Sequence, residues 1–251
     1  SPYKLQSSGI VTYYGMSDVN STTDTKRKEL FQKMMDSTQY THPFKKSFAD
    51  IHNNSMAIAK KIGDAFASLP PIVTTVPVGN NFAESLMSVA KMIASQPALN
   101  MKRQVFFIRA GGYDTHDRQI TSMEDLFTTL DAGITMFQNA LDEYAVADQT
   151  LTFTASEFGR TITGNGDGTD HGWGSHLFAF GNPVAGGEVY GTMPVLEVDG
   201  INDSRNGRII PTLSADQYAS SVANWFGFDE TERLSLFPNL KNFTNKTIPF
   251  V

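Results

Sequence analysis

Two short apolar runs separated by one long helical stripe constrain this chain more than any other feature. Residues 104–109 (QVFFIR) and 150–155 (TLTFTA) are compact and rich in aromatic and β-branched side chains, as buried strands are. Between them, Ile120, Met123, Phe127, Leu130, Ile134, Phe137, Leu141 and Tyr144 recur at helical spacing over 120–145. Strand, helix, strand predicts a parallel crossover, with a third strand at 177–181. In open parallel sheets ligands gather beyond the carboxyl ends of the strands. A functional site is therefore expected in the loops after Arg109 and after Ala155.

Upstream, residues 1–23 lack a period and read as extended coil, followed by a short helix at 24–36 with Leu30, Phe31, Met34 and Met35 on one face. A long helix is predicted at 44–69 from the stripe Phe44, Phe48, Ile51, Ser55, Ile58, Ile62, Ala65 and Leu69, ended by Pro70 and Pro71. Another spans 82–95, burying Phe82, Leu86, Val89 and Ile93, with Asn80 or Asn81 as its cap and Pro97 closing it. Near the C-terminus, Ser214 and Gln217 form a capping box for a helix that reaches Phe226 and stops at Gly227. With no internal repeat or low-complexity linker, one α/β domain over 1–251 is the simplest partition.

Charge and composition exclude several classes. The net charge is −6 and no basic run occurs, so a nucleic-acid backbone finds little to attract it. No segment approaches the apolar length that spans a bilayer. Without cysteine there are no disulfides and no thiolate metal sites, which is compatible with an oxidising compartment. The first residue is Ser and no signal peptide precedes it, so a mature form or a fragment is expected.

Chemistry concentrates in the two loops. The first reads Gly111-Gly112-Tyr113-Asp114-Thr115-His116-Asp117. The second carries Glu157, Arg160 and Asn165, then Asp170, His171 and His176. Three of the chain's five histidines lie here, each close to carboxylates and glycines, whereas His42 and His52 read as surface residues. Carboxylate with imidazole, and no thiolate, suits a catalytic zinc or a harder manganese or iron site. Such an ion polarises a phosphoryl or sulfuryl oxygen and acidifies bound water. Arg160, with its planar fork, is the best anion-holding candidate. Each residue alone also has a plainer reading: Asp114 as a loop hydrogen-bonder, His176 as a core histidine, Glu157 as an exposed acid. No Gly-Lys-Ser/Thr phosphate loop or Gly-x-Ser-x-Gly elbow occurs, and 165–176 departs from a calcium loop at Asp170 and His176.

At these loops the sequence resembles the bacterial domain of unknown function 1501 family, grouped with the alkaline phosphatase and sulfatase superfamily. Arg103–Phe107, Gly111–His116 with Gln119, TFTASEFGRT at 152–161, NGDGTDHGWG at 165–174, GRIIPTLSADQY at 207–218, Trp225–Gly227 and FPNL at 237–240 carry the resemblance. It implies an alkaline-phosphatase-like, three-layer α/β/α sandwich with a mostly parallel sheet, export to the periplasm or beyond, and one or two metals at the strand ends. By position, Asp114 and His116 would form a metal pair, with Glu157 and His171 completing the first site and Asp170 and His176 as further equivalents. Phe158 stands where the superfamily has a histidine or asparagine ligand, which argues against a second metal. The superfamily's nucleophile lies on an N-terminal strand that this chain is expected to lack; Thr115 and Thr161 are weak substitutes.

The leading expectation is an exported, metal-dependent hydrolase for phosphate or sulfate esters. Asp114, His116, Glu157 and His171 would hold a divalent ion (zinc, manganese, calcium and magnesium all remain open), while Arg160 and Asn165 contact the anion. The alternative is a non-catalytic surface or matrix protein with a vestigial site. Carbohydrate binding by Tyr113 and Trp173 is a third class.

Overall fold

A computed structural model of the chain describes residues 25–251, so the coil expected over 1–23 lies outside the described residues. The chain divides into two compact units. The first runs to Arg109 and includes Leu130–Ala145; the second comprises Ala110–Thr129 and Val146–Val251.

The first unit is helical: α1 (Thr25–Met34), α2 (Pro43–Ala67), α3 (Asn81–Ala94), α4 (Gln96–Leu99) and the later part of α5 (Gln119–Glu143). Pro43 opens α2, where its missing N–H costs nothing. The Asn80 side chain caps α3 by accepting from Ala83 N at 2.9 Å. α3 ends at Ala94, Pro97 stands in the first turn of α4, and Asn100 closes α4 in the left-handed conformation. Leu86, Met87, Met92 and Ile93 of α3 are buried, as are Met136, Phe137 and Leu141 of α5. Each such side chain contributes about 1.5–3 kcal/mol when fully buried. Glu143, at the end of α5, accepts from Val73 N at 2.6 Å and Thr74 N at 2.9 Å.

Of the predicted α2 stripe only Ser55 and Ala65 are buried. Ala65 packs with Met92 and Leu99 against Ile62, Phe66 and Phe106, whereas Phe44, Phe48, Ile51 and Ile58 are exposed. His52 is half-buried, its ring 4.2 Å from Phe48 and 6.0 Å from Phe31, so it is not the surface residue expected.

The second unit holds the described strands. β1 (Thr152–Phe153) pairs antiparallel with β4 (Ala179–Phe180), and β2 (Gly159–Gly164) pairs antiparallel with β3 (Thr169–Gly172). Helices α6 (Ala215–Phe226) and α7 (Glu230–Leu236) follow. The Ser214–Gln217 capping box is formed, and Gly227 ends α6 at φ +103°, as predicted. Ile209, Leu240, Ile248 and Phe250 are buried, and Tyr218 stacks on Phe250. Burial pushes the Tyr218 hydroxyl up to about 12, and it donates to Phe178 O at 3.0 Å.

The three-layer sandwich with a mostly parallel sheet is not formed. Residues 104–109 belong to no strand, and Val105 and Phe107 are 79% and 89% exposed. Within the predicted strand at 150–155 only two residues pair. β1 and β4 meet antiparallel, and the partner strand predicted at 104–109 is not formed, so no parallel crossover is built among the described residues. An apolar run marks a segment able to enter a sheet; whether it becomes a strand is decided by whether a partner lies beside it.

Candidate metal centre

The β2–β3 hairpin supplies one side of the site. Asn165-Gly166-Asp167-Gly168 turns the chain, with Gly166 at φ +134° and Asn165 N donating to Gly168 O at 3.0 Å. Arg160 pairs directly with His171 across the ladder. Directly opposed residues present their side chains on one face of a sheet, so the guanidinium and the imidazole emerge together. A register irregularity lies between Arg160 and Gly164. There the Thr161 hydroxyl donates to Thr163 O at 2.8 Å and accepts from Asp170 N at 3.1 Å.

The segment 113–116 supplies the other side. His116 N donates to Asp114 O at 3.2 Å, a tight turn centred on Thr115 that sets Asp114 and His116 beside each other. Thr115 is 5% exposed, while the side chains of Asp114 and His116 are about half exposed. Thr169 N donates to Thr115 O at 3.3 Å and joins this segment to β3.

Three ligand atoms converge. Asp114 Oδ1 lies 3.0 Å from His116 Nε2 and 2.9 Å from His171 Nε2, and the two imidazole nitrogens are 3.2 Å apart. Among the described residues these three form the group able to hold a metal ion. Lone pairs this close repel unless a proton or cation lies among them. Tetrahedral zinc with bonds of about 2.0–2.1 Å separates its ligand atoms by about 3.3 Å, close to these spacings, and leaves a fourth position open. Donor set and spacing therefore fit a divalent ion.

Surrounding groups hold this triangle in place. His116 Nδ1 faces Asp170 Oδ1 at 3.4 Å, and the same oxygen accepts from Asn165 Nδ2 at 2.9 Å. A carboxylate behind a histidine keeps the proton on Nδ1 and presents bare Nε2 to the centre. Phe158 stacks on His171 with ring centroids 3.8 Å apart and planes 13° apart, which fixes the imidazole plane. The Arg160 guanidinium donates from Nη1 to Asp114 Oδ1 at 2.6 Å, from Nε to Thr169 Oγ1 at 2.9 Å, and from Nη2 to Thr115 O at 2.9 Å and to Thr169 O. Thr169 Oγ1 in turn donates to Gln119 Oε1 at 2.8 Å, at the start of α5.

These contacts set the charges. The hydrogen bond with His171, opposed by partial desolvation and reinforced by the bond from Arg160 and the neighbouring His116, holds the Asp114 carboxyl below its ordinary value. Asp170 is lowered chiefly by Asn165, with His116 and Arg208 adding to it.

The expected residues therefore separate. Asp114, His116 and His171 meet; Asp170 and Asn165 stand behind His116; Arg160 braces Asp114. Glu157 and His176 are exposed and lie outside the group. Stacking by Phe158 and bracing by Thr169 and Gln119 were not anticipated, although Phe158 and Gln119 both sit inside the motifs quoted above. The signal for the stack was the spacing of Phe158, just before β2, two residues from Arg160, which faces His171 across the ladder.

A family model described as "Protein of unknown function" matches residues 14–219, most of the chain. The chain belongs to the DUF1501 family. The match spans every residue of the DUF1501 site just described, from Asp114 to Arg208. No curated protein and no solved structure matches the chain.

Proposed function

We propose that this DUF1501 protein is an exported, metal-dependent hydrolase acting on phosphate or sulfate esters. The carrying observation is the triangle of Asp114 Oδ1, His116 Nε2 and His171 Nε2, with edges of 2.9, 3.0 and 3.2 Å. Export is supported by the resemblance of its motifs to an exported family. A bound divalent ion would polarise the ester oxygen and acidify a water.

The chain's own groups prepare that chemistry. Asp170 holds the proton at His116 Nδ1, so Nε2 stays available as a ligand. Arg160 fixes the rotamer of Asp114, and Phe158 fixes the plane of His171. Preset ligands need no reorganisation as charge develops on the substrate. The hydroxyl of Thr161 is engaged within the hairpin and Thr115 is buried, so a water is favoured as the nucleophile over either.

A second reading has one observation in its favour. Asp114, His116 and His171 are each about half exposed, and catalysis of this kind gains from excluding water. On that reading the protein is a surface or matrix component that binds an ion without turnover. Purification without chelator, metal analysis and assay of aryl phosphate and aryl sulfate separate the two. Metal-dependent turnover that disappears in the Asp114→Ala, His116→Ala double variant supports the hydrolase. Bound metal without turnover supports the second reading, and absence of bound metal defeats both.

A further inference from the structure

We infer that Arg208 receives the anionic head of the ester, a phosphoryl or sulfuryl group, beside the Asp114–His116–His171 triangle. The inference rests on the reading of that triangle as a metal centre.

An arginine can grip a tetrahedral oxyanion only with N–H groups that the protein leaves available, and a guanidinium carries five. Arg160 directs four of its five to Asp114, Thr115 and Thr169. One remains, too few for a bidentate grip, and Arg160 is a positioning residue for Asp114. Arg208 is disposed differently. Its Nε donates to the main-chain oxygen of His171 at 3.2 Å, and its Nη1 to Arg205 O at 3.3 Å. The other three N–H groups, two on Nη2 and one on Nη1, take no protein acceptor among the described residues.

Position and rigidity fit the role. The bond to His171 O anchors the guanidinium at the backbone of a residue that supplies one corner of the triangle. The platform beneath it is tied down in four places. Ser204 N donates to Arg208 O at 3.0 Å, Gly174 N to Ile209 O at 2.9 Å, and Ile210 N to Asn202 O at 2.8 Å. The Asp203 carboxylate closes the adjoining turn by accepting from Arg205 N and Gly207 N, each at 2.9 Å. A cation held rigidly with its donor edge unspent is preorganised for an oxyanion, because little entropy is lost when the anion arrives.

A purely structural role, stapling 205–208 to β3, makes a different prediction, and one titration series separates the two. Zinc or manganese is first titrated into the chelator-stripped full chain and into Arg208→Gln and Arg208→Lys variants. Inorganic phosphate and sulfate are then titrated into each loaded protein, with thermal melting in parallel. The expected result is that R208Q weakens oxyanion binding by about tenfold or more, as loss of a charge-assisted pair does, while metal affinity changes by less than about twofold. R208K, which keeps the charge without the fork, should fall between. Unchanged oxyanion affinity in R208Q overturns the inference, and so does a joint loss of metal affinity, oxyanion affinity and melting temperature in both variants. If R208Q fails to fold, R208K decides: wild-type oxyanion affinity there, in a protein that melts normally, also overturns it. Metal uptake by the wild type without oxyanion binding defeats the role of Arg208 alone, whereas no metal uptake defeats the underlying reading of the triangle.

Discussion

Gly168 lies directly against the main chain of His116: a Cβ on Gly168 would fall 2.3 Å from the His116 carbonyl carbon and 2.4 Å from its oxygen. Backbone cannot swing aside as a flexible side chain can, so Gly168→Ala must part the hairpin from the segment that carries Asp114 and His116. We expect a loss of about 1–3 kcal/mol in stability, as in overpacked interiors, with weakened metal binding. Gly111→Ala is the control, since a Cβ there meets nothing within 4 Å. Calorimetric metal titration of both variants checks this; equal affinities would remove Gly168 from the account of the site.

Substitution of any corner of the triangle should abolish stoichiometric metal binding, because two remaining ligands hold an exposed ion weakly. Asp114→Ala, His116→Ala and His171→Ala are each predicted to lose the ion, while Glu157→Ala and His176→Ala keep it. Equilibrium dialysis with elemental analysis reads the result directly. Loss of metal in the Glu157 or His176 variant would require a different ligand set.

Asp170 acts through His116, so its removal should weaken the ion without eliminating it. Asp170→Ala is expected to lower metal affinity by about 10–100-fold, the usual effect of deleting a carboxylate behind a ligating histidine. Asn165→Ala, one step further from the ion, should cost less. Competition with a chromophoric chelator measures both, and an unchanged Asp170→Ala constant would count against this arrangement.

Helix α6 carries two local devices whose removal is predictable. Ser214→Ala deletes the acceptor for Gln217 N and should cost about 1 kcal/mol. Gly227→Ala forces a side chain into φ +103° and should cost about 1–2 kcal/mol. Urea denaturation of the full chain tests both.

Asp203 predicts an acid limb in the stability of the second unit. Backbone N–H bonds from Asp199 first, then from Gly207 and Arg205, hold its carboxyl below the ordinary value. A depressed carboxylate contributes stability above its unfolded pKa, about 3.9, and loses it as pH falls through the lower folded value. Stability from this residue should therefore be constant between about pH 7 and 5 and decline below about pH 4. Asp203→Asn should flatten that limb, as followed by urea midpoints against pH.

Much of the helical frame was legible. The ends of α3, α5 and α6 fall within a residue or two of those predicted, because periodicity and caps such as Asn80 and Ser214 are local in the chain. Burial along α2 was not legible: Phe44 and Ala65 belong to one stripe, and only packing shows which is covered. The β2–β3 reversal had a local signal, Asn165-Gly166 and Asp167-Gly168 between two short runs, but these glycines were read as part of a ligand-bearing loop.

For the site, residue chemistry was settled by the sequence alone: carboxylates, imidazoles and an arginine in two glycine-rich segments, with thiolates excluded. Tertiary structure decided which of them meet. His116 and His171 are 55 residues apart in the chain and 3.2 Å apart in space, while Glu157 and His176, equally plausible by type, stay outside the group. The reason is physical. Whether an atom can bind an ion is a property of its own side chain; whether it reaches the ion depends on the pairing of Arg160 with His171 and the close approach of Gly168 to His116, which only the folded chain sets.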